Sequence, residues 1–248
     1  MPPCDSFIGN ESVAFLCNEC GSSGTKCAGC FEDVMSVRME SRVEHAVDGA
    51  VHAVGIAASL AAFTALLVIY FPQGTVGMAV ALAIYAVTVI GLFLASAANN
   101  MILHHDWKPL LQRFDHAAIY LKIAGTYTPL VVVMGSLYAY IVLAVVWAGA
   151  LAGAALRLVF GDRFARISIA LYLLLGWMSI AVIWLMFERL PTGSAVLVIV
   201  GGLLYTVGVI FHVWERLQFQ RAIWHGFVLA ASSCHFTAVA WASLQVAA

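Results

Sequence analysis

Charge is what this sequence has least of. Asp, Glu, Lys and Arg make up 10% of its 248 residues, where a soluble domain carries about 25%. With 63% hydrophobic residues and a mean hydropathy of +0.95, the chain is no ordinary soluble enzyme. An excess of either sign is missing too, since 12 basic and 13 acidic residues leave a net charge of -1. No basic field exists to hold a nucleic acid, and the aromatic residues are spread through apolar runs rather than set among cations. The period-two alternation of a membrane barrel strand is also absent, because the apolar runs are continuous. A cleavable signal peptide is excluded on two counts: a long polar segment precedes the first apolar run, and no small-residue cleavage pattern follows it.

What is present is a polar head on a membrane body. Of the 25 charged residues, 11 lie in the first 49 positions. Beyond them, windows of about 20 residues, the length that crosses about 30 Å of hydrocarbon as a helix, fall at 50 to 71, 76 to 99, 116 to 134, 138 to 160, 166 to 187, 193 to 213 and 223 to 246. The predicted fold is an all-α, seven-helix integral membrane bundle over residues 50–248. Before it come a pre-helix segment, 35–49, and a Cys-rich head, 1–34. Lys108, Arg113, Arg157, Arg163, Arg166, Arg216 and Arg221 fall on one side, joined by Lys26, Arg38 and Arg42, while Arg189 stands alone on the other. The bias of Lys and Arg toward the cytoplasm then places the N-terminus inside and the C-terminus outside, in a multi-pass protein of a cell membrane of the bacterial inner-membrane type. Lys122 falls inside the third span, less than two turns from its loop, and is expected to snorkel to the cytoplasmic face.

Polar residues within membrane helices are costly and tend to face the bundle interior. Here their depths agree. Asn100 ends the second span on the cytoplasmic side, Asp115 begins the third there, Arg221 and His225 begin the seventh, and His52 begins the first. Ser96 and Asn100 are four apart, as are Arg221 and His225, and Glu44, Asp48 and His52 keep the same spacing, so each set shares one helix face. These residues are the expected lining of an intramembrane site on the cytoplasmic side.

The residues at that level carry a resemblance. Glu44-x3-Asp48-x3-His52-x2-Gly55, Arg113-Phe-Asp115-His116-Ala-Ala-Ile119-Tyr120 with Ala124-Gly-Thr-Tyr-Thr-Pro129, and Trp224-His225-Gly-Phe-Val-Leu229 with Cys234-His235-Phe236 resemble the hemolysin III family. That family is related to the progestin and adiponectin receptors and, more distantly, to the alkaline ceramidases. The resemblance runs from about residue 40 to the C-terminus and implies seven helices with a cytoplasmic N-terminus. It also implies zinc held by a histidine of Ser-x3-His on the second helix and two histidines of His-x3-His on the seventh, with an aspartate on the third helix holding the zinc-bound water. The chain departs from that pattern. Ser96 is kept, but Asn100 stands at the first ligand position and Arg221 at the second; His225 is the one ligand remaining, and Asp115 matches the aspartate. Neutral Asn and cationic Arg are poor substitutes for imidazole.

Two readings follow. In one the site is rebuilt, with His104 one turn beyond Asn100, His105 beside it, and His52 or His235 supplying nitrogen. His235 lies ten residues past His225, about 15 Å deeper along the helix, too far for joint ligation. In the other, Arg221 replaces the metal and pairs with Asp115 in a low-dielectric setting. The charge of Arg221 favours the second reading, in which no zinc binds within the membrane. With a metal, the implied reaction is hydrolysis of a lipid amide, the ion polarising the carbonyl and Asp115 orienting or deprotonating the water. Ser96 near His225 raises a serine hydrolase, for which the sequence fixes no contact. A pore-forming, hemolysin-like protein or a non-catalytic factor in membrane lipid homeostasis is the alternative class, although no ring of charge or selectivity loop is visible. Membrane lipids are the expected partners, and oligomeric state stays open. In the head, Cys17-x2-Cys20-x6-Cys27-x2-Cys30 has the composition of a four-thiolate zinc site in a reducing compartment. The competing reading is that translation starts at Met35 or Met39.

Overall fold

A computed structural model describes residues 26–102, 106–214 and 216–247. The chain falls into two units, Met1–Val47 and Asp48–Ala248. The first is helical from Lys26. The thiol cluster Cys17, Cys20, Cys27 and Cys30 lies outside the residues whose side chains are described, and His104 and His105 lie outside the described residues altogether.

The second unit carries the membrane body. Its helices are the part of α1 (Lys26–Tyr70) from Asp48 onward, α2 (Val76–Met101), α3 (Lys108–Met134), α4 (Leu137–Phe160), α5 (Ala165–Gly176), α6 (Ile183–Arg189), α7 (Thr192–Val213) and α8 (Gln220–Ala247). Seven spans in this set are long and apolar enough to cross a membrane, and no strand occurs among the described residues. The all-α, seven-span architecture expected from the apolar runs is therefore the observed one. The third span starts earlier than its apolar run, at Lys108. Pro109 occupies the first turn, where a missing N–H costs no intrahelical bond, and the polar residues 108–115 that cut the hydropathy window are helical all the same. Gly135 ends α3 in the left-handed region at φ 59°, its N–H bonded to the Val131 carbonyl at 3.0 Å, a conformation that glycine adopts without strain.

The fifth span differs from its expected form. It is two helices, α5 and α6, joined by a six-residue 3-10 stretch, Trp177–Val182. A break at membrane depth frees backbone carbonyls that lipid cannot satisfy. Two tyrosine hydroxyls answer them: Tyr127 donates to the Gly176 carbonyl at 2.7 Å and to that of Leu175 at 3.2 Å, and Tyr138 donates to Ala181 at 3.1 Å.

Helix α3 is central, packing against α2, α4, α5, α6 and α8. Its Ala124–Pro129 stretch is buried throughout. Because lipid tails are as apolar as leucine, close backbone approach and polar bonds hold such helices together rather than burial alone. A Cβ on Gly125 would come within 2.0 Å of Thr88 Oγ1, one on Gly149 within 2.8 Å of Leu175, and one on Gly153 within 2.4 Å of the Tyr120 ring. The Gly149-x3-Gly153 pair thus serves packing within the bundle. Gly153→Val is expected to lower stability by about 1–3 kcal/mol through overpacking against Tyr120, read as an earlier thermal melt in detergent. Gly77→Ala, with nothing within 4 Å, should melt with the parent.

Candidate functional site

Asp48 and His52 are one turn apart on α1, Ser96 lies on α2 and His225 on α8, and all four converge. Asp48 is 4% exposed and His52 3%; the His225 side chain retains 12% exposure. The proton positions follow from the partners. His52 Nδ1 lies 2.8 Å from the Asp48 backbone carbonyl, which only accepts, so this nitrogen carries the proton. His225 Nδ1 lies 2.6 Å from Asp48 Oδ1, so it too donates. Both Nε2 atoms are left as lone pairs, and both point at one hydroxyl: Ser96 Oγ is 3.2 Å from His52 Nε2 and 3.3 Å from His225 Nε2. The two rings meet edge to face, centroids 4.3 Å apart. One hydroxyl has one proton to give, so two imidazole lone pairs compete for it.

That arrangement suits a cation. Asp48, His52 and His225 each offer a donor atom, all within 4.8 Å of one another. The Asp48 carboxylate lies on the Nδ1 side of the His225 ring, so the lone pairs left for an ion are the two Nε2 atoms, and ligand histidines ordinarily have the other ring nitrogen pinned by a carboxylate or carbonyl, as both do here. The zinc positions implied by the family pattern do not fit in the same way. Asn100 turns its amide back on its own helix, donating to the Ser96 carbonyl at 2.9 Å. Arg221 is exposed.

Asp115 is buried and accepts from Asn99 Nδ2 at 2.8 Å, and Lys108 in turn donates to the Asn99 carbonyl. Among the described residues Asp115 forms no ion pair with Arg221. The pairing expected of these two residues in a low-dielectric setting is therefore not made: the first turn of α8 leaves the guanidinium exposed, and Asn99 bonds one carboxylate oxygen. Glu44 belongs to the other unit, one turn before Asp48 on α1. His52, Ser96, Asn100, Asp115, Arg221 and His225 all line one cavity of about 400 Å³.

Two further residues correct the sequence reading. Lys122 does not snorkel: it is 3% exposed and lines the same cavity, its Nζ donating to Tyr205 Oη at 2.6 Å. The signal was its spacing, seven residues after Asp115, which puts both on one face of α3. Arg157, counted among the loop cations, is buried in the last turn of α4, where it bonds the Gly161 carbonyl at 2.9 Å and the His116 ring. His235 stands apart from His225, bonded to the Val198 carbonyl at 3.2 Å and next to Lys122.

Seven apolar spans and a buried Asp-His-Ser-His cluster define a polytopic membrane protein. The chain belongs to the Haemolysin-III related family, which matches residues 41–236. It is similar to Hemolysin-3 of Bacillus cereus, 36% identical over 212 residues, covering 85% of this chain and 97% of that one. It is likewise similar to the Hemolysin-3 homolog of Bacillus subtilis (strain 168), 34% identical over 205 residues, covering 82% and 96%.

The pairing scheme makes a contrast that stability can read. Asp48→Ala removes the acceptor of a buried imidazole N–H and should cost about 1–3 kcal/mol. Arg221→Ala, at an exposed residue without an ion pair, should stay within about 0.5 kcal/mol of the parent. Chemical denaturation in mixed micelles measures both; equal losses would restore a structural role for Arg221.

Proposed function

We propose that this protein is an intramembrane, metal-dependent hydrolase of acyl bonds in membrane lipids, with lipid amides as its substrate class. The observation that carries the reading is the convergence of two Nδ1-pinned imidazoles and a carboxylate in a buried cavity. It is a rebuilt centre: His52 on the first span takes the place of an absent family histidine, and His225 is retained. His52 Nε2 and His225 Nε2 would hold the ion, with the Asp48 carboxylate behind the His225 ring. A divalent ion there supplies Lewis acidity, polarising a scissile carbonyl and acidifying a nearby water.

The remaining work falls to side chains. Asp48 fixes both ring orientations, one through its carboxylate and one through its carbonyl. Asp115, held by Asn99 and facing the same cavity, accepts the proton of the attacking water and returns it to the departing amine. The apolar walls admit acyl chains and exclude bulk water from the carbonyl.

A second reading rests on the same bonds. Asp48, His225 and Ser96 follow one another in the order orienter, base, nucleophile, at 2.6 and 3.3 Å, the hydrogen-bond relay of a serine hydrolase. Metal content separates the two. In a full-length chain carrying Cys17→Ser, Cys20→Ser, Cys27→Ser and Cys30→Ser, mass spectrometry should find about one zinc, lost in His52→Ala and His225→Ala and kept in Asp115→Asn. Asp115→Asn should slow fatty acid release from ceramide vesicles by about 10²–10⁴-fold. Absence of zinc, together with fluorophosphonate labelling that Ser96→Ala abolishes, would hand the site to the serine. Absence of both, with dye released from loaded vesicles, would replace the hydrolase with a pore.

The loop cations support a cell-membrane protein with its N-terminus in the cytoplasm. A C-terminal alkaline phosphatase fusion should then be active and a C-terminal green fluorescent protein fusion dark; the reverse pattern overturns this orientation.

A further inference from the structure

A second polar cluster lies deeper in the same cavity and takes no part in the hydrolytic centre. Lys122 of α3, Tyr205 of α7 and His235 of α8 all line the cavity. His235 is ten residues beyond His225 on α8, about 15 Å along the helix. The Lys122 ammonium donates to Tyr205 Oη at 2.6 Å and lies 3.5 Å from His235 Nδ1. His235 Nε2 meets the Val198 carbonyl at 3.2 Å, so it carries the ring proton and leaves Nδ1 as an acceptor toward Lys122. Tyr205 is fixed in turn by Ser232 Oγ at 2.7 Å. Gly201 makes room for the imidazole, since a Cβ there would come within 2.4 Å of the ring.

The cluster is built but incomplete in charge. An ammonium has three donors, and the side chains around Lys122 take two. Both acceptors are neutral, and among the described residues no carboxylate forms an ion pair with Lys122. A buried cation without a counter-charge is costly within a membrane. Lysines at such depth pair with something or mark a ligand path. The missing partner carries one negative charge, is small enough to be held by a single ammonium, and is attached to something that fills an apolar space. The cavity supplies that space: about 400 Å³, within the range of small-molecule sites, with Ile123, Leu130, Met186 and Val198 among its walls.

We propose that Lys122, Tyr205 and His235 form a binding site for the carboxylate of a single-chain amphiphile, a long-chain fatty acid, whose tail occupies the apolar part of the cavity. One carboxylate oxygen takes the third Lys122 proton. The site does not require the hydrolytic reading. The acid comes either from the bilayer or from the acyl product of the upper centre, and the two sources present the same chemistry.

The test is saturable binding of radiolabelled palmitate to the full-length protein in nanodiscs. Lys122→Met, which keeps the length and removes the charge, should weaken binding at least tenfold, with Lys122→Arg in between. Methyl palmitate, which lacks the charge, should fail to compete. Should Lys122→Met not fold, Tyr205→Phe replaces it, with an expected several-fold loss. Palmitate binding unchanged by the substitution, or methyl palmitate competing as well as palmitate, overturns the site. His225→Ala, expected to lose hydrolysis, should bind palmitate as the parent does, so failure of the hydrolase reading leaves this result standing. Fatty acid extracted from purified parent and from His225→Ala alike identifies the bilayer as source; fatty acid in the parent alone identifies the product. No palmitate binding and no extracted acid in either protein refutes the proposal.

Discussion

The carboxylate of Asp48 is the group on which the site depends. It sits near the polar end of a membrane helix, 4% exposed, where an unpaired charge would be costly. Its oxygen takes the Nδ1 proton of His225 at 2.6 Å, and its backbone carbonyl takes that of His52 at 2.8 Å. By fixing two tautomers at once it aims two Nε2 lone pairs at the same point, and Ser96 from α2 occupies that point. Three helices are thereby held in register by one residue. The donor set, the serine relay and the shape of the cavity's polar end all follow from that arrangement.

The rest of the fold obeys the constraint that lipid offers no hydrogen bonds. Where the fifth span departs from α-helical geometry, tyrosines of α3 and α4 supply the missing donors. Where α3 must approach its neighbours, glycine or a small residue removes the side chain that would stand between them, as at Gly125 and Gly153. Buried hydroxyls bond within their own helix, Thr126 to the Lys122 carbonyl and Thr128 to that of Ala124, while Trp147 of α4 ties to Thr128 at 3.1 Å. Central position and polar satisfaction meet in the same stretch of α3.

The seven spans were legible because hydropathy is a local property, read from each segment alone. Inward faces were legible from spacing: Ser96 and Asn100 both line the cavity, and Asp48 and His52 are both buried, as their four-residue intervals imply. Partner choice was not. Asp48 and His225 are 177 residues apart, and no local pattern says that a carboxylate of the first span meets an imidazole of the last. The family pattern drew attention to Asn100 and Arg221, where ligands are missing, and away from His52. Lys122 was judged by its distance from the loop, although its seven-residue interval from Asp115 gave its face correctly. Arg221 shares a face with His225 but starts the helix, and one turn of difference in depth separates an exposed cation from a buried donor.

The two clusters divide the cavity unequally in charge. At the polar end, Asp115 shares the lining with Lys108 and Arg221, so both signs are present there. At the deeper end Lys122 stands among neutral partners, in surroundings where a charge is least screened. A ligand's polar group therefore meets mixed charge at one end and a lone ammonium at the other. Neutral lipid carbonyls gain little from the second, while an acid gains a full ion pair. The charge that this end of the cavity selects is thus set by α3, through Lys122, seven positions past Asp115.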